Sequence, residues 1–345
     1  MPLQQDRSRR EMANTDRESG PKGRPQKGRE IPAPKMGGID RKALALPGKG
    51  DFLFRFAVYG DNQRGVAVHR RIAEVILISG AEVVLHVGDF VKDGRDDGEW
   101  EEQFRLPALD LLEKVVFLGV PGNHDKDNRR YYEIIDPPLG RSWFSVKHRS
   151  VAFFGIDTNK NLRLRGEQGR WLEGALKGCR APWKVAFLHE APYSSSWPWP
   201  GGALKTRTHV MPVLEKYGVD LVFAGHIHNY ERFHKDGIPY FITGGGGDTL
   251  SKPDQLENPH KKWTAMLHHF CTADVYPDRI VVLARDTGGV PFDGLIVERG
   301  GALFDADIPT RRGYDGPRPA TFPRIVFRRG RRRGKRVSSR KREGK

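Results

Sequence analysis

Val115-Val116-Phe117-Leu118-Gly119-Val120-Pro121-Gly122-Asn123-His124-Asp125 joins two kinds of sequence at one point. Its first six residues are an apolar run, long enough for a buried strand and too short for a helix. Its last four are polar, turn-forming and rich in lone pairs. The same join recurs along the chain. Leu53 to Tyr59 runs into Asp61-Asn62-Gln63, Val83 to Val87 into Gly88-Asp89, Val185 to Leu188 into His189, and Leu221 to Ala224 into Gly225-His226-Ile227-His228. In layered α/β folds the functional groups gather outside the carboxyl ends of strands, so five such ends can bring these clusters into one crevice. Carboxylates, imidazoles and a carboxamide suit Mn, Fe, Zn or Mg, with imidazole favouring the transition metals. Two such ions about 3.5 to 4 Å apart clamp the attacking and leaving oxygens of a phosphoryl centre.

Each cluster alone has a duller reading. Gly88-Asp89 and Gly122-Asn123 are ordinary turn signals. A lone His189 reads as a hydrogen-bonded core histidine, and two histidines spaced as His226 and His228 can lie on a solvated loop. The conjunction in fixed order, each at a strand end, favours the metal site.

The order Asp-x-Gln, Gly-Asp, Gly-Asn-His-Asp, His and Gly-His-x-His resembles the calcineurin-like metallophosphoesterase superfamily from about Asp51 to Asp286. His189-Glu190-Ala191-Pro192-Tyr193-Ser194-Ser195, Gly225 to Arg232 and His268-His269-Phe270 resemble its purple acid phosphatase branch. Two positions depart from that branch: Lys92 stands where a tyrosine is usual, and Gln63 where glycine is usual in the branch and histidine elsewhere in the superfamily. The resemblance implies a four-layer α/β/β/α sandwich of two mixed sheets flanked by helices. It implies that Asp61 and His228 hold a first metal, Asn123, His189 and His226 a second, and that Asp89 bridges them. Gln63 is then a weak first-metal ligand or a group behind one. The expected nucleophile is a metal-bridging hydroxide attacking phosphorus directly. His124 would act as general acid or oxyanion stabiliser, with Asp125 orienting it. Arg64, Tyr193 and Arg232 are candidate substrate contacts. The metals implied are two divalent or mixed-valence ions drawn from Mn, Fe, Zn or Co, without the iron colour a tyrosinate would give.

Charge is distributed unevenly. Of 59 basic and 43 acidic residues, 12 and 6 fall in residues 1–50 and 11 and 1 in residues 328–345, leaving 36 of each between. The whole-chain net charge of +16 therefore belongs to the ends and gives no warrant for a nucleic-acid-binding active site. Residues 1–50, dense in Pro, Gly, Arg and Lys, read as a disordered basic extension. Residues 51–300 read as the catalytic domain, and residues 301–345 as a linker and polybasic tail able to meet RNA, DNA or anionic lipid. Neither a signal-like h-region nor a membrane-length apolar run is present, so a cytoplasmic location is expected. Cys179 and Cys271 set no disulfide framework.

Between the motifs, Val68, Ile72, Val75 and Ile76 share one helical face, as do Trp171, Leu172, Ala175 and Leu176. Trp100 to Lys114 is a third helix, interrupted by Pro107. Trp143 to Ile156 and Tyr230 to Thr243 read as strand pairs, and Leu267 to Val275 with Arg279 to Arg285 as a closing pair. Trp197-Pro198-Trp199-Pro200 reads equally as a substrate wall or a packed loop. Gly244 to Gly247 lacks P-loop spacing and reads as a flexible loop at the site edge. His268 and His269 read as structural, with His268 within reach of the crevice rim. Three functions remain open: a phosphomonoesterase or phosphodiesterase, a nuclease or nucleotide hydrolase aided by the basic tails, and a noncatalytic binding protein on the same fold.

Overall fold

Both faces of the apolar runs are hydrophobic, so each must be covered twice, by a second sheet on one side and helices on the other. The computed structural model, which describes residues 38–47, 51–196, 203–253, 255–306 and 308, meets that demand with two seven-stranded sheets. The strands are β1 (Phe54–Tyr59), β2 (Val83–His86), β3 (Val116–Gly119), β4 (Phe144–His148), β5 (Val151–Ile156), β6 (Trp183–Glu190) and β7 (Leu221–Gly225), then β8 (Tyr230–Lys235), β9 (Ile238–Thr243), β10 (Lys261–Ala265), β11 (His269–Val275), β12 (Arg279–Asp286), β13 (Pro291–Glu298) and β14 (Leu303–Asp305). The first sheet has the order β14-β13-β12-β11-β1-β2-β3, the second β10-β8-β9-β7-β6-β5-β4. Within them β1, β2 and β3 are parallel, as are β5, β6, β7 and β9, and antiparallel strands complete the edges. This is the expected α/β/β/α sandwich.

Alternate residues of the two sheets meet in the central core, where Phe56 stands edge-on to Phe153 at 5.2 Å and Phe223 stacks on Phe241 at 5.1 Å. The opposite faces bury beneath helices. Val66–Ile78 covers the first sheet with Val68, Ile72, Val75 and Ile76, and Glu167–Gly178 covers the second with Leu172 and Leu176. The third helix is not one regular rod: Asp97–Glu99 leads into a π-helical stretch, Trp100–Arg105, and regular α-helix resumes at Leu106–Lys114. Pro107 is the cause, because it has no N–H to give to the carbonyl four residues earlier.

Two boundaries differ from the sequence expectation. Residues 38–47 belong to the folded body and not to a basic extension ending at residue 50. Asp40 caps the short helix Arg41–Leu44, Leu44 is buried, and two buried arginines take its carbonyls, Arg55 from Leu44 and Arg285 from Ala43. At the other end β14 carries the sheet to Asp305, five residues past the expected limit. The remainder of both basic tails lies outside the described residues. Among those described, no helix is long and apolar enough to cross a membrane.

The sheets are also tied by a polar contact through the core. Tyr230 and Arg232, two apart on β8 and so on one face, both reach Asp293 of β13. The tyrosine hydroxyl donates at 2.6 Å, and the guanidinium donates at 2.7 and 3.0 Å. An aspartate left there without its arginine is a buried unpaired charge. Arg232→Met is therefore expected to lower the free energy of unfolding by about 3 kcal/mol in urea titration; a loss under about 1 kcal/mol would show that the pair adds nothing.

Candidate metal centre

β1, β2, β3, β6 and β7 all end on the same side of the sandwich, so the five polar clusters come from both sheets to one crevice. The backbone there is unusually tight. Asp61, Asp89 and His226 each hold positive φ, at 58°, 56° and 70°, a conformation that non-glycine residues keep only when the surroundings enforce it. The glycines beside them are required by proximity. A Cβ on Gly122 would stand 2.1 Å from Asp89 Oδ1, and one on Gly225 would stand 2.4 Å from Asp61 Oδ2. These two glycines thus leave room for the carboxylate of an earlier motif.

Three lone-pair atoms converge at one end of the crevice. Asn123 Oδ1 lies 3.0 Å from His189 Nε2 and 2.9 Å from His226 Nδ1, and these nitrogens are 3.1 Å apart. Asp89 Oδ2 is 3.4 Å from His189 Nε2. Nδ1 of His189 donates to the Val87 carbonyl at 2.9 Å, so Nε2 is the ring nitrogen that faces the crevice. His228 repeats the device: Nδ1 donates to the Thr249 carbonyl at 2.9 Å, and Nε2 lies 3.6 Å from Asp61 Oδ1. One oxygen or nitrogen from each of Asp89, His189 and His226, and likewise from Asp61, Asp89 and His228, fits within 4.8 Å, with Asp89 common to both groups.

These donors fit cations. Ligand atoms about 3 Å apart are what two bonds of about 2.1 Å at a right angle require. Asp61 Oδ2 and both amide atoms of Gln63 are buried with no hydrogen-bond partner among the described residues, a cost of about 1–3 kcal/mol each unless something satisfies them. Electrostatics agree. Burial pushes Asp61 well above the usual carboxylate range, only partly opposed by His189. Burial lowers His226 to about 3, with His189 adding to the effect. His189 is disfavoured as a cation by burial, yet the Asp89 carboxylate beside it drives it up to about 10. The protein alone therefore draws positive charge to the place where a cation would supply it.

His124 lies at the rim, with its backbone N–H on Asp89 Oδ1 at 2.9 Å and its Nδ1 donating to the Lys92 carbonyl at 2.7 Å, which leaves Nε2 for chemistry. Asp125 is not its orienting partner. Both oxygens of Asp125 are occupied by amides, those of Phe90 and Val91 on one and Asp89 and Gly122 on the other, so it braces the two motif loops. Burial and Asp89 push its pKa up to about 8, while the amides favour the carboxylate.

Two expected substrate contacts are corrected. Tyr193 is a core residue, packed against Tyr240 and Phe233 beneath the second sheet. Arg232 is the buried partner of Asp293. Arg64 is half exposed near the site, with its guanidinium bidentate on Asp248 at 3.0 and 2.7 Å. Gly244 to Gly247 is buried and not a flexible edge: Gly246 N–H donates to the Gly60 carbonyl, Asp248 N–H to that of Asp61, and any side chain there would strike the 60–65 backbone, Ile227 or His269. His268 is half-buried on the Gly245 carbonyl, and His269 is buried. Residues 197–202, with the Trp-Pro repeat, lie outside the described residues.

Sequence reasoning missed the supports. Asn62 joins the first two motifs, accepting from His86 Nε2 at 2.7 Å and donating to the Phe90 carbonyl at 2.8 Å. Asn159, beyond β5, donates to the Pro121 and Gly122 carbonyls. Asn62 lay in plain view between Asp61 and Gln63, whereas nothing local marks Asn159.

Residues 54–230 match the model of the calcineurin-like phosphoesterases. Fe(3+)-Zn(2+) purple acid phosphatase 12 of Arabidopsis thaliana is 27% identical over 258 residues, 62% of this chain and 55% of that protein. Probable inactive purple acid phosphatase 27 of the same plant is 26% identical over 233 residues, 54% of this chain and 38% of that one. The chain spans from about a third to three fifths of the length of such relatives. Among solved structures, purple acid phosphatase PPD1 from yellow lupin (Lupinus luteus) superposes with a TM-score of 0.64 at 18% identity, over 74% of this chain and 55% of that one. The chain belongs to the calcineurin-like phosphoesterase family and is similar to purple acid phosphatases.

Proposed function

We propose that this protein is a dinuclear-metal phosphoester hydrolase. The observation that carries the reading is the sharing of Asp89 between two separate groups of converging donors. Asp61, Asp89 and His228, with Gln63 as a further oxygen donor, would hold one ion. Asp89, Asn123, His189 and His226 would hold the other. When bound, two such ions neutralise charge at the phosphoryl oxygens and acidify water. The rest is work for the chain. His124 Nε2, freed by the bond from Nδ1 to Lys92, is placed to give a proton to the leaving oxygen or to steady a phosphoryl oxygen. Val87 and Thr249 hold His189 and His228 in the tautomers that ligation needs. Arg64, tied to Asp248 but half exposed, is a cation near the rim for an anionic ester.

Charge bears on the metals. The ligand set contains two carboxylates and, with Lys92 in the tyrosine position, no phenolate. Less negative charge faces the ions than a phenolate-containing set would provide, which favours a divalent pair over one that includes a trivalent ion. A second reading, binding without turnover, is favoured by relatives whose names call them probable inactive phosphatases.

Elemental analysis coupled to hydrolysis of p-nitrophenyl phosphate and bis-p-nitrophenyl phosphate separates these readings. We expect two metals per chain in the wild type and turnover of at least one ester. His124→Ala should keep the metals and lose about 10²- to 10⁴-fold in kcat, while Asp89→Ala should lose metal and turnover together. Two metals with no turnover would establish the binding reading, and neither metal nor turnover would sink both. Loaded with iron, the protein should show no visible phenolate-to-iron band; a purple product would mean that a tyrosine reaches the metal after all.

A further inference from the structure

Gln103 lies outside every motif and touches two of the loops that build the site, together with the helix Val66–Ile78. It sits in the π-helical stretch Trp100–Arg105, four residues before Pro107. In a regular helix its carbonyl would accept from the N–H of residue 107, which proline lacks. The freed carbonyl is instead used sideways: Asn62 Nδ2 donates to it at 3.2 Å, and His69 Nδ1 lies 2.9 Å away. Its side-chain Oε1 does more. It accepts from the backbone N–H of Arg64 and from that of Lys92, both at 3.0 Å.

Those amides belong to different motifs. Arg64 follows Asp61 and Gln63, while Lys92 follows Asp89, and the Lys92 carbonyl is the acceptor that fixes Nδ1 of His124. The loop from Lys92 to Gly94 is pressed on the His124 segment, since Gly94 N–H donates to the His124 carbonyl and a Cβ on Gly94 would stand 1.9 Å from the Asp125 carbonyl oxygen. One side-chain oxygen therefore spans the backbone behind a metal-ligand loop and the N–H of the residue whose carbonyl orients His124. We propose that Gln103 is the positioning residue of this site, setting His124 against the Asp61 loop through Lys92 and Arg64. The inference rests on the hydrolase reading for its kinetic consequence but not for its hydrogen bonds.

Only an oxygen acceptor is needed, so Gln103→Glu should substitute and Gln103→Leu, of similar volume, should not. In metal-free protein, amide hydrogen exchange at Arg64 and Lys92 should quicken about tenfold in Gln103→Leu and remain at the wild-type rate in Gln103→Glu. In loaded protein, Gln103→Leu should lose about 10- to 100-fold in kcat on an alkyl phosphomonoester, whose leaving oxygen needs the proton, and far less on p-nitrophenyl phosphate. KM and metal content should stay within about twofold of wild type, and Gln103→Glu should restore the alkyl ester rate. Unchanged exchange in Gln103→Leu, or equal losses on both esters accompanied by loss of metal, would overturn the proposal and leave Gln103 a structural residue. A wild type that binds no metal and hydrolyses neither ester would overturn the hydrolase reading itself, while the exchange measurement would still judge the hydrogen bonds.

Discussion

The burial of two carboxylates against glycine backbone is the constraint on which the rest depends. Asp61 and Asp89 are withdrawn from water at strand ends where Gly225 and Gly122 have no side chain to displace them. Charged groups tolerate such places only when paired or metal-bound. The surroundings respond to that demand: amides of His226 and His124 each reach one carboxylate oxygen, His189 is driven toward its cationic form, and the remaining lone pairs of Asn123 and His228 turn inward. The strained φ values at Asp61, Asp89 and His226 follow from the same demand, since each backbone must turn sharply to aim its side chain back over the sheet ends.

Two sheets are needed to meet that demand. β1, β2 and β3 deliver Asp61, Asp89 and Asn123 from the first, and β6 and β7 deliver His189 and His226 from the second. The aromatic layer between them sets their spacing, and the Tyr230, Arg232 and Asp293 contact ties the sheets through that layer. The donors are thus as well placed as the sandwich is rigid, which puts the site on sheet ends and not on free loops.

What was legible in the sequence was whatever repeats with a short period or sits at a run's end. The five apolar runs, the faces of Val66–Ile78 and Glu167–Gly178 and the hairpin of β8 and β9 could be read because period 2 and period 3.6 are local. The interruption at Pro107 was legible too, though its outcome, a π-turn, was not. Long-range capture escaped. Leu44 looks like part of a polar extension until Arg55 and Arg285 are seen to take the carbonyls around it. Arg232 looks like a phosphate ligand until Asp293, 61 positions away, is placed beside it. Gly244 to Gly247 looks flexible because glycine is usually read as freedom; here it marks backbone packed on backbone, which only the fold can reveal.

Position 92 shows why side-chain resemblance and site geometry can part company. The purple acid phosphatase pattern calls for a tyrosine there, and this chain has a lysine. Yet the crevice engages that residue through its peptide: the N–H is held from the helix layer, and the carbonyl holds His124. A side-chain exchange at 92 changes what can reach into the crevice while leaving both peptide hydrogen bonds in place. Loss of a phenolate and retention of the His124 geometry are therefore compatible, because they depend on different atoms of one residue. The same logic applies to Asp125, whose identity follows the motif while its carboxylate serves the backbone of the loops and not the imidazole next to it. In this family a motif letter identifies a position in space, and the work done there has to be read atom by atom.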